Sequence, residues 1–305
     1  MKDKYKVTGK GQYDRKDFDT SDTGDFKSEE EAVKAMNKNL DKINKLQQKL
    51  YADGKEGVVF LFQAMDAAGK DGTIRAVLSC LSPQGVTEAS FKVPSDEELG
   101  HDFLWRIAKQ LPEKGQISIF NRSHYEDVLV GKVHKLYESQ AHAKRIDVDK
   151  IIDNRYEDIR NWEKYLYNNS IRMVKIFLNV GKKEQAKRFL SRLDEQKKNW
   201  KFALSDMRER QYWDDYQKAF EDAVNETATK ECPWYVVPAD HKWYMRYVVS
   251  EIIRDTLEEM DPKWPEVDPE EMASFEECRK ELEDYLGITE EDKKKAAEKA
   301  EAEKE

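Results

Sequence analysis

Residues 57–81 read GVVFLFQAMDAAGKDGTIRAVLSCL, and this stretch decides the fold. Its first six residues begin at a glycine and are apolar on both faces, which is typical of a strand buried within a parallel sheet. A loop of small residues follows over 64–72, and the apolar spacing over 73–81 favours a helix. The stretch therefore predicts a buried strand, a tight loop and a helix, in that order.

The loop carries residues that suit phosphate binding. In a P-loop, backbone N–H groups surround phosphates at a helix N-terminus and a lysine reaches the outer phosphates. Gly69 and Lys70 stand at the corresponding place, although Ala64 replaces the usual first glycine and Asp71 the usual Ser or Thr. A Gly-Lys pair alone is common in turns. Asp66 either caps the helix or, beside bound phosphates, indicates Mg²⁺ between carboxylate and phosphate.

Alternating strand and helix segments extend outward from this stretch. Strands are predicted at 89–93, 116–120, 171–180 and 235–238, and helices at 28–52, 95–110, 149–167, 182–195, 205–227 and 242–260. This alternation predicts the α/β class, with a parallel sheet covered by helices on both faces. The expected organisation is an irregular N-terminal arm over 1–27, a single domain over 28–288 and a charged C-terminal tail over 289–305.

Composition excludes several classes of protein. The 305 residues carry 53 basic and 62 acidic side chains, a net charge of −9, which makes a general nucleic-acid or membrane-surface binder unexpected. The longest apolar run has five residues, whereas a membrane-spanning helix needs about 20. The charged N-terminus has no secretory pattern, and three distant cysteines give no disulfide or zinc spacing. We expect a reduced cytoplasmic protein.

A second motif, FNRSHYED, occupies residues 120–127 at the carboxyl end of a predicted strand. Open α/β sheets bind ligands at that end of their strands. Arg122 suits a phosphate, and Glu126 and Asp127 suit a metal or a ribose. The alternative is an ordinary turn held by a hydrogen-bond network, because the motif alone has low specificity.

A local excess of positive charge lies between residues 171 and 201, where three acids accompany ten bases. The bases are Arg172, Lys175, Lys182, Lys183, Lys187, Arg188, Arg192, Lys197, Lys198 and Lys201. On the helix at 182–195, Ala186, Phe189, Leu190 and Leu193 are expected to form the buried stripe, which leaves Arg188 and Arg192 free to meet a ligand. The excess of +7 indicates an anion site; the alternative is a solvated face.

Together, the segments 62–74, 120–127, 188–192 and 198–206 resemble the type-2 polyphosphate kinase family, and the resemblance runs over about residues 28–260. It implies a three-layer P-loop kinase fold similar to thymidylate kinase, with a parallel sheet and a basic helical lid at about 181–205. It also implies inorganic polyphosphate as donor, Mg²⁺ as cofactor, and AMP, ADP or both as acceptors. An adenine base is expected, a guanine base stays open, and a homo-oligomer is expected.

The resemblance assigns roles residue by residue. Catalytic roles fall on Asp66, Lys70 and Arg122. Phosphate or polyphosphate contacts fall on Ala67, Ala68, Gly69, Lys70, Asp71, Arg75, Arg188, Arg192, Lys197 and Lys201. Nucleotide contacts fall on Asn121, Arg122, Glu126 and Asp127. Metal binding falls on Asp66 and Asp206, although by spacing alone Asp206 is equally a first-turn acid of its helix.

Asn121 departs from the family pattern, because the family usually has an aspartate there. The neutral amide removes one negative charge from the metal site. It also resembles the subgroup that phosphorylates both nucleoside monophosphates and diphosphates.

Two rival functions share the P-loop. An ATP-dependent nucleoside monophosphate kinase explains the loop but leaves the ten bases at 171–201 without a role. A nucleic-acid-binding P-loop protein would use those bases, but the net charge of −9 argues against it. A linear anion with about one charge per phosphate suits the basic stretch better than a single nucleotide does, which favours the polyphosphate hypothesis.

Overall fold

One six-stranded sheet organises the residues that the structure, a computed structural model, describes, which are 2–295. Its strands are β1 (Lys6–Val7), β2 (Gly57–Ala64), β3 (Val86–Ser90), β4 (Ile117–Asn121), β5 (Ile171–Asn179) and β6 (Trp234–Pro238). Their spatial order is β1-β6-β5-β2-β4-β3. All neighbouring pairs are parallel except β1–β6. The predicted α/β class with a parallel sheet is therefore confirmed, with one antiparallel strand added.

Helices connect the strands and follow them. They are α1 (Glu29–Asp53), α2 (Lys70–Leu78), α3 (Asp96–Leu99), α4 (Trp105–Ala108), α5 (Val130–Val133), α6 (Ile151–Asn168), α7 (Lys182–Asp194), α8 (Leu204–Glu209), α9 (Trp213–Thr227), α10 (Lys242–Met260) and α11 (Pro269–Leu286). Short 3-10 turns lie at Lys2–Tyr5, His124–Asp127, Leu136–Ser139, Val148–Lys150, Gln196–Lys201 and Arg210–Tyr212. Helix α10 packs against α1 and α2, and α6 packs against β5 and α9.

The central strand is β2, whose eight residues are all buried. It lies between β4 and β5, so the chain builds the sheet first on one side of β2 and then on the other. Ligands of open parallel sheets bind where this reversal occurs, at the carboxyl ends of the strands. The fold therefore brings the loop after Ala64 close to the end of β4 at Asn121, since Phe62 of β2 is the register partner of Asn121.

Three predicted segments have different boundaries in the structure. The helix expected at 95–110 is two short helices, α3 and α4, because α3 ends at Gly100 and the Asp102 carboxylate accepts from the Leu104 N–H at 3.0 Å. The helix expected at 205–227 is divided into α8 and α9 by the 3-10 turn Arg210–Tyr212. The strand expected at 89–93 lies at β3, whose pairing with β4 sets its register.

The N-terminal arm is not wholly irregular, which corrects the prediction for residues 1–27. Strand β1 pairs with β6 through Lys6–Tyr235 and Val7–Trp234, and the side chains of Tyr5, Val7 and Tyr13 are buried. An uncovered edge strand presents unpaired N–H and C=O groups, and β1 covers that edge of β6. A pairing of two residues with a strand more than 200 positions away leaves no local pattern in the sequence.

The chain divides into two compact units, Met1–Lys263 and Trp264–Glu305. The predicted end of the domain, at residue 288, lies beyond this division. The second unit contains α11, none of whose side chains is buried. Of the predicted tail, residues 290–295 are helical, and 296–305 lie outside the described residues. Within residues 2–295, no helix has the length and hydropathy needed to cross a membrane.

Candidate active site

The loop after β2 turns sharply into α2. Its backbone is left-handed at Ala67 (φ 61°) and Gly69 (φ 109°). Position 69 requires glycine, because L side chains rarely adopt that conformation and a Cβ there would lie 3.3 Å from Met245 Cε. Lys70 begins α2, and its Nζ donates to the Ala64 carbonyl oxygen at 3.3 Å. The loop therefore has the path and the lysine of a phosphate-binding loop.

Arg122 joins this loop to the end of β4. Its backbone N–H donates to the Phe62 carbonyl at 3.0 Å, and its guanidinium donates to Asp66 Oδ1 at 2.9 Å and to Glu126 Oε2 at 2.8 Å. The charge of Glu126 is the main cause of a raised pKa for Arg122. Burial lowers the pKa of Lys70, and the positive charge of Arg122 lowers it further. The two predicted motifs thus form one charged cluster.

Asn121 and Asp71 are hydrogen-bonded across the same cluster. Asn121 Nδ2 donates to Asp71 Oδ1 at 2.9 Å. A carboxylate at position 121 would place two negative charges in direct contact, whereas the amide supplies a donor. Asp71, which stands where a P-loop usually has Ser or Thr, and Asn121, which stands where the family usually has Asp, are therefore hydrogen-bonded to each other.

A small opening, with a volume of about 30 Å³, lies beside the cluster. Six charged side chains line it: Asp66, Arg122, Glu126, Asp206, Glu209 and Arg210. Burial raises the pKa of Asp206, and the negative charge of Asp66 raises it further, so these two carboxylates act on each other across the opening. Arg192 Nη1 donates to Asp206 Oδ2 at 3.1 Å. The fold has therefore brought together acids that lie 140 positions apart in the sequence.

The two acids fit a metal ion that is shared with a substrate. Mg²⁺ is commonly held by one or two carboxylates together with substrate phosphates and water. Asp66 and Asp206 line one opening, and the negative charge of Asp66 raises the pKa of Asp206, against the opposing charges of Arg192 and Arg122. Within residues 2–295, no group of three His, Cys, Asp or Glu side chains is placed to hold a metal. A closed site made of protein ligands alone is therefore not what these residues form.

Arg188 is buried, which corrects the prediction that it is free to meet a ligand. Its guanidinium donates to the carbonyl oxygens of Ala67 and Ala68 in the loop, and to those of Ala239 and Asp240 after β6. Its Nε donates to Glu184 at 2.9 Å. This arginine therefore holds the back of the phosphate-binding loop.

The buried stripe predicted on α7 is also partly wrong. Leu190 and Leu193 are 58% and 49% exposed, whereas Gln185 and Arg188 are buried beside Phe189. Gln185 and Arg188 face inward because they donate hydrogen bonds to the phosphate-binding loop. Gln185 Nε2 donates to the Asp66 carbonyl oxygen at 3.0 Å, and Arg188 donates to the carbonyl oxygens of Ala67 and Ala68. The helix turns its hydrogen-bonding residues toward the loop.

Several bases of the 171–201 stretch are paired with acids from other parts of the chain. Lys175 is fully buried and lies 2.5 Å from Glu163, and Arg172 lies 2.6 Å from Glu56. The local excess of +7 therefore overstates the charge available to a ligand.

The remaining predicted site residues lie around the cluster. Lys197 is exposed and 3.7 Å from Glu195, and Lys201 is exposed on the lid. Arg75 is exposed on α2. Asp127 lies 3.7 Å from Arg155 Nη1, away from the opening, and burial raises its pKa. The ligand contacts assigned to these four residues stay predictions.

Other residues that line the opening were not singled out in the sequence, and they include Gln185, Glu209, Arg210 and Tyr216. Arg210 Nε donates to Gln185 Oε1 at 3.1 Å, and Tyr216 Oη donates to Glu209 Oε2 at 2.7 Å. The charged run at 206–210 was the available signal, but a charged run is usually a solvated surface. The break between α8 and α9 turns it toward the opening.

The chain is similar to known proteins over most of its length. Residues 26–265 match the family described as Polyphosphate kinase 2. The ADP-polyphosphate phosphotransferase of Rhodopseudomonas palustris is 46% identical over 259 residues, which cover 84% of this chain and 90% of that protein. The AMP/ADP-polyphosphate phosphotransferase of Meiothermus ruber is 43% identical over 267 residues, which cover 86% of this chain and 95% of that protein.

A solved structure is similar over nearly the same range. The crystal structure of Polyphosphate Kinase 2 from Arthrobacter aurescens TC1 has a TM-score of 0.79 and 37% sequence identity, and the match covers 87% of this chain and 91% of that chain. The sequence match and the shared fold extend through the loop, the end of β4 and the lid. The chain therefore belongs to the Polyphosphate kinase 2 family.

Proposed function

We propose that this protein transfers the terminal phosphoryl group of inorganic polyphosphate to AMP and ADP, reversibly and with Mg²⁺. The observation that carries the proposal is the contact between Arg122 and Asp66, which joins the phosphate-binding loop to an opening lined also by Asp206. One cationic and two anionic groups thus meet where a donor phosphate, a metal ion and an acceptor phosphate must meet.

The side chains act by positioning and by neutralising charge, which is most of what phosphoryl transfer requires from a protein. Lys70 and the loop amides hold the donor's terminal phosphate, and Arg122 lies between that phosphate and the opening. Mg²⁺ bound by Asp66 and Asp206 would supply positive charge to the oxygens of both phosphates.

The chemistry conserves the number of phosphoanhydride bonds. The bond between the terminal phosphorus and its bridging oxygen breaks, and an oxygen of the acceptor's last phosphate forms the new bond. The shortened polyphosphate keeps the electron pair of the broken bond. One anhydride replaces another, so the reaction is expected to run in both directions at cellular concentrations.

The acceptors are assigned from chemistry and from relatives. Asn121 stands where the family usually has an aspartate, and its side-chain amide donates a hydrogen bond to Asp71. The amide leaves less negative charge near the acceptor phosphates than an aspartate would. The relatives named above are an AMP/ADP and an ADP phosphotransferase. An ATP-dependent monophosphate kinase shares the loop, but its donor does not appear in either name.

Phosphorus NMR tests the proposal directly. The full chain is incubated with long-chain polyphosphate, Mg²⁺ and AMP, and separately with ADP, without any ATP. We expect the polyphosphate signals to decline as the β-phosphate of ADP and the γ-phosphate of ATP appear. Lys70→Ala should abolish both, whereas Lys34→Ala, a substitution at an exposed position on α1, should not. Transfer to AMP from ATP but not from polyphosphate would contradict the proposal.

The same experiment addresses the base, because GMP and GDP can replace the adenine nucleotides. The homo-oligomer stays a prediction, and light scattering of the purified chain would measure it.

A further inference from the structure

The N-terminal arm contacts the carboxyl ends of β5 and β6 through residues that precede the range 26–265 matched to the family. The Phe18 carbonyl oxygen accepts from Nδ2 of Asn179, the last residue of β5, at 3.2 Å. The Thr20 carbonyl oxygen accepts from the N–H of Asp240, two residues after β6, at 3.0 Å. The main chain of the arm is therefore attached to the end of the sheet at which the lid begins.

The side chain of Asp240 joins the arm to the lid. Thr20 Oγ1 donates to Asp240 Oδ2 at 2.8 Å, and the Gly181 N–H donates to Asp240 Oδ1 at 2.7 Å. Gly181 is the first residue of the lid and the N-cap of α7, and it has no side chain with which to cap the helix. One carboxylate thus accepts from a hydroxyl group of the arm with one oxygen and from the start of the lid with the other.

These three groups are packed against one another without spare room. A Cβ at Gly181 would lie 2.9 Å from Asp240 Oδ2 and 2.9 Å from Thr20 Oγ1, which is closer than such atoms approach in folded proteins. The φ of Gly181 is −75°, so a side chain is excluded here by lack of space and not by the backbone conformation. The hydroxyl group of Thr20 therefore lies directly against the point at which the lid leaves the sheet.

Helix α7 connects this point with the phosphate-binding loop. Arg188 Nη1 donates to the Ala67 carbonyl oxygen of the loop at 3.2 Å, and Arg188 Nη2 donates to the Asp240 carbonyl oxygen at 3.1 Å. Asp240 thus holds α7 at two places, through its side chain at Gly181 and through its main chain at Arg188. The position of Asp240 therefore determines how α7 meets the loop.

The far end of α7 amplifies any change at its start. Arg192 donates to Asp206, which lines the opening of the active site. Since each helical residue advances about 1.5 Å, Arg192 lies about 16 Å along the axis from Gly181. A tilt of about 5° at Gly181 would move Arg192 by about 1.4 Å, and a misplacement of about 1 Å is enough to slow a reaction that depends on orientation.

We propose that Thr20 is a positioning residue for phosphoryl transfer. Its hydroxyl group orients the Asp240 carboxylate, the carboxylate fixes Gly181, and Gly181 sets the direction of α7 toward the loop and toward Asp206. Thr20 acts through Asp240 and not on a substrate. The inference rests on the proposed function, and it adds a residue that precedes the family match to those on which the rate depends.

The hydroxyl group is not needed to hold the arm in place. The pairing of β1 with β6 and the main-chain bonds at Phe18 and Thr20 do not involve it. The main chain of Tyr13 also exchanges two hydrogen bonds with the Asn225 side chain, at 2.9 and 2.7 Å. Removal of the hydroxyl group should therefore leave the arm attached and release only the Asp240 carboxylate.

Isosteric substitution of Thr20 in the full chain tests the inference. Thr20→Val keeps the shape and removes the hydroxyl group, and kcat for transfer from polyphosphate to ADP should fall roughly fivefold or more. The KM values of both substrates should change less than about twofold, because every group that binds them is still present. Thr20→Ser keeps the hydroxyl group and should restore kcat. Thr8→Val is the matched control, because the Thr8 hydroxyl group is bonded to Gln12 within the arm, and it should behave like wild type.

Hydrogen exchange measured by mass spectrometry locates the effect without turnover. In Thr20→Val, without substrates, the amides of residues 181–189 should exchange about threefold faster or more than in wild type, because α7 opens more often. The amides of β5 and α1 should keep their rates, and the urea midpoint of unfolding should not change. A wild type that transfers no phosphoryl group would contradict the proposed function, whereas the exchange rates would still decide this inference.

A double-mutant cycle shows whether Thr20 acts through Asp240. Asp240→Ala removes the acceptor of both donors and should lower kcat at least as far as Thr20→Val does. The double variant should be no slower than Asp240→Ala alone, because the hydroxyl group then has no carboxylate to orient. Additive losses, wild-type kcat and lid exchange in Thr20→Val, or a failure of Thr20→Ser to restore kcat would each overturn the inference. A loss of kcat accompanied by equally faster exchange throughout the chain would overturn it as well.

Discussion

Asp66 is held by a cation on one side and faces a second carboxylate on the other. Arg122 donates to Asp66 Oδ1 at 2.9 Å. The negative charge of Asp66 contributes to the raised pKa of Asp206. An ion pair with Arg122 alone would explain a structural aspartate. Asp206 is likewise paired, with Arg192 at 3.1 Å, and a divalent ion shared with substrate phosphates is the role that the proposed function gives to both carboxylates.

The metal role of Asp66 can be tested by an isosteric change. Asp66→Asn keeps the shape and an oxygen that can accept from Arg122, but it removes the charge. We expect kcat to fall by about 100-fold or more, with a higher Mg²⁺ concentration needed for half-maximal rate. A magnesium titration of the rate measures both. Asp53→Asn, at the last residue of α1 and paired with Lys55, is the control. Near-normal turnover of Asp66→Asn would show that Asp66 holds no metal.

Arg188 and Arg192 should respond differently to substitution, although both were expected to contact the donor. Arg188→Ala leaves four carbonyl oxygens and Glu184 without their donor and should lower the free energy of unfolding by about 2 kcal/mol or more, together with kcat. Arg192→Ala removes a half-exposed partner of Asp206 and should act on kinetics rather than stability. Urea unfolding of both variants measures the difference, and equal stability would refute it.

At the scale of elements, a buried polar network holds the end of β4 in place. Lys175 of β5 and Glu163 of α6 form a fully buried ion pair, and Tyr125 Oη donates to Glu163 Oε1 at 2.8 Å. His124 lies in the same space with its Nε2 3.6 Å from Glu163. Because Tyr125 and His124 follow Arg122 in the turn, this network fixes the position from which Arg122 reaches the loop.

The network makes stability dependent on pH. Burial lowers the pKa of His124, and Lys175 lowers it further, against Glu163. The unfolded chain therefore binds a proton at His124 below about pH 6.5 that the folded chain does not bind, and stability is lost as pH falls below that value. The slope is at most about 1.4 kcal/mol per pH unit.

Urea unfolding at pH 7.5, 6.5 and 5.5 measures that dependence. His124→Phe keeps a ring of similar size and removes the titrating group, so its stability should fall less between pH 6.5 and 5.5. Comparison with wild type cancels the groups that titrate in both proteins, including Asp206. Identical pH profiles would contradict the prediction.

At the scale of the whole molecule, the family match ends at residue 265 and the first compact unit ends at Lys263. The residues beyond include α11, whose side chains are all at least partly exposed. Every residue of the charged cluster belongs to the first unit. All the residues of the proposed site thus lie in the unit that ends at Lys263.

A truncated chain tests this division. A protein that ends at Lys263 should keep kcat and both KM values within about twofold of the full chain, because no site residue is removed. Its thermal unfolding midpoint should also be close to that of the full chain. A large loss of activity or of stability would show that the last 42 residues support the first unit.

The sequence predicted those features that local patterns encode. The apolar strand at 57–62 and the alternation of strands and helices were enough to predict the parallel sheet, and the Gly-Lys pair was enough to predict the loop that follows its central strand. The face of α7 was assigned wrongly, because apolar spacing assumes that leucines turn inward. In the structure, Arg188 and Gln185 lie on the inner face of α7, because they donate hydrogen bonds to the carbonyl groups of the phosphate-binding loop.

Contacts between distant segments could not be predicted from local patterns. The pairing of β1 with β6 depends on residues far away in the sequence, and the partner of Lys175 on β5 lies in a different element, α6. Asp206 was assigned only from the family resemblance, and the structure places it beside Asp66 through the break after α8.

The contacts of Arg188 bear on how strongly the loop attracts phosphate. Its guanidinium accepts electron density from two peptide groups through the oxygens of Ala67 and Ala68, and each peptide group is polarised as a unit. The amide hydrogen of Gly69, which belongs to one of those two groups, becomes more electropositive. The buried guanidinium thus acts through the peptide bond, and it adds to the positive potential of the main chain at this loop.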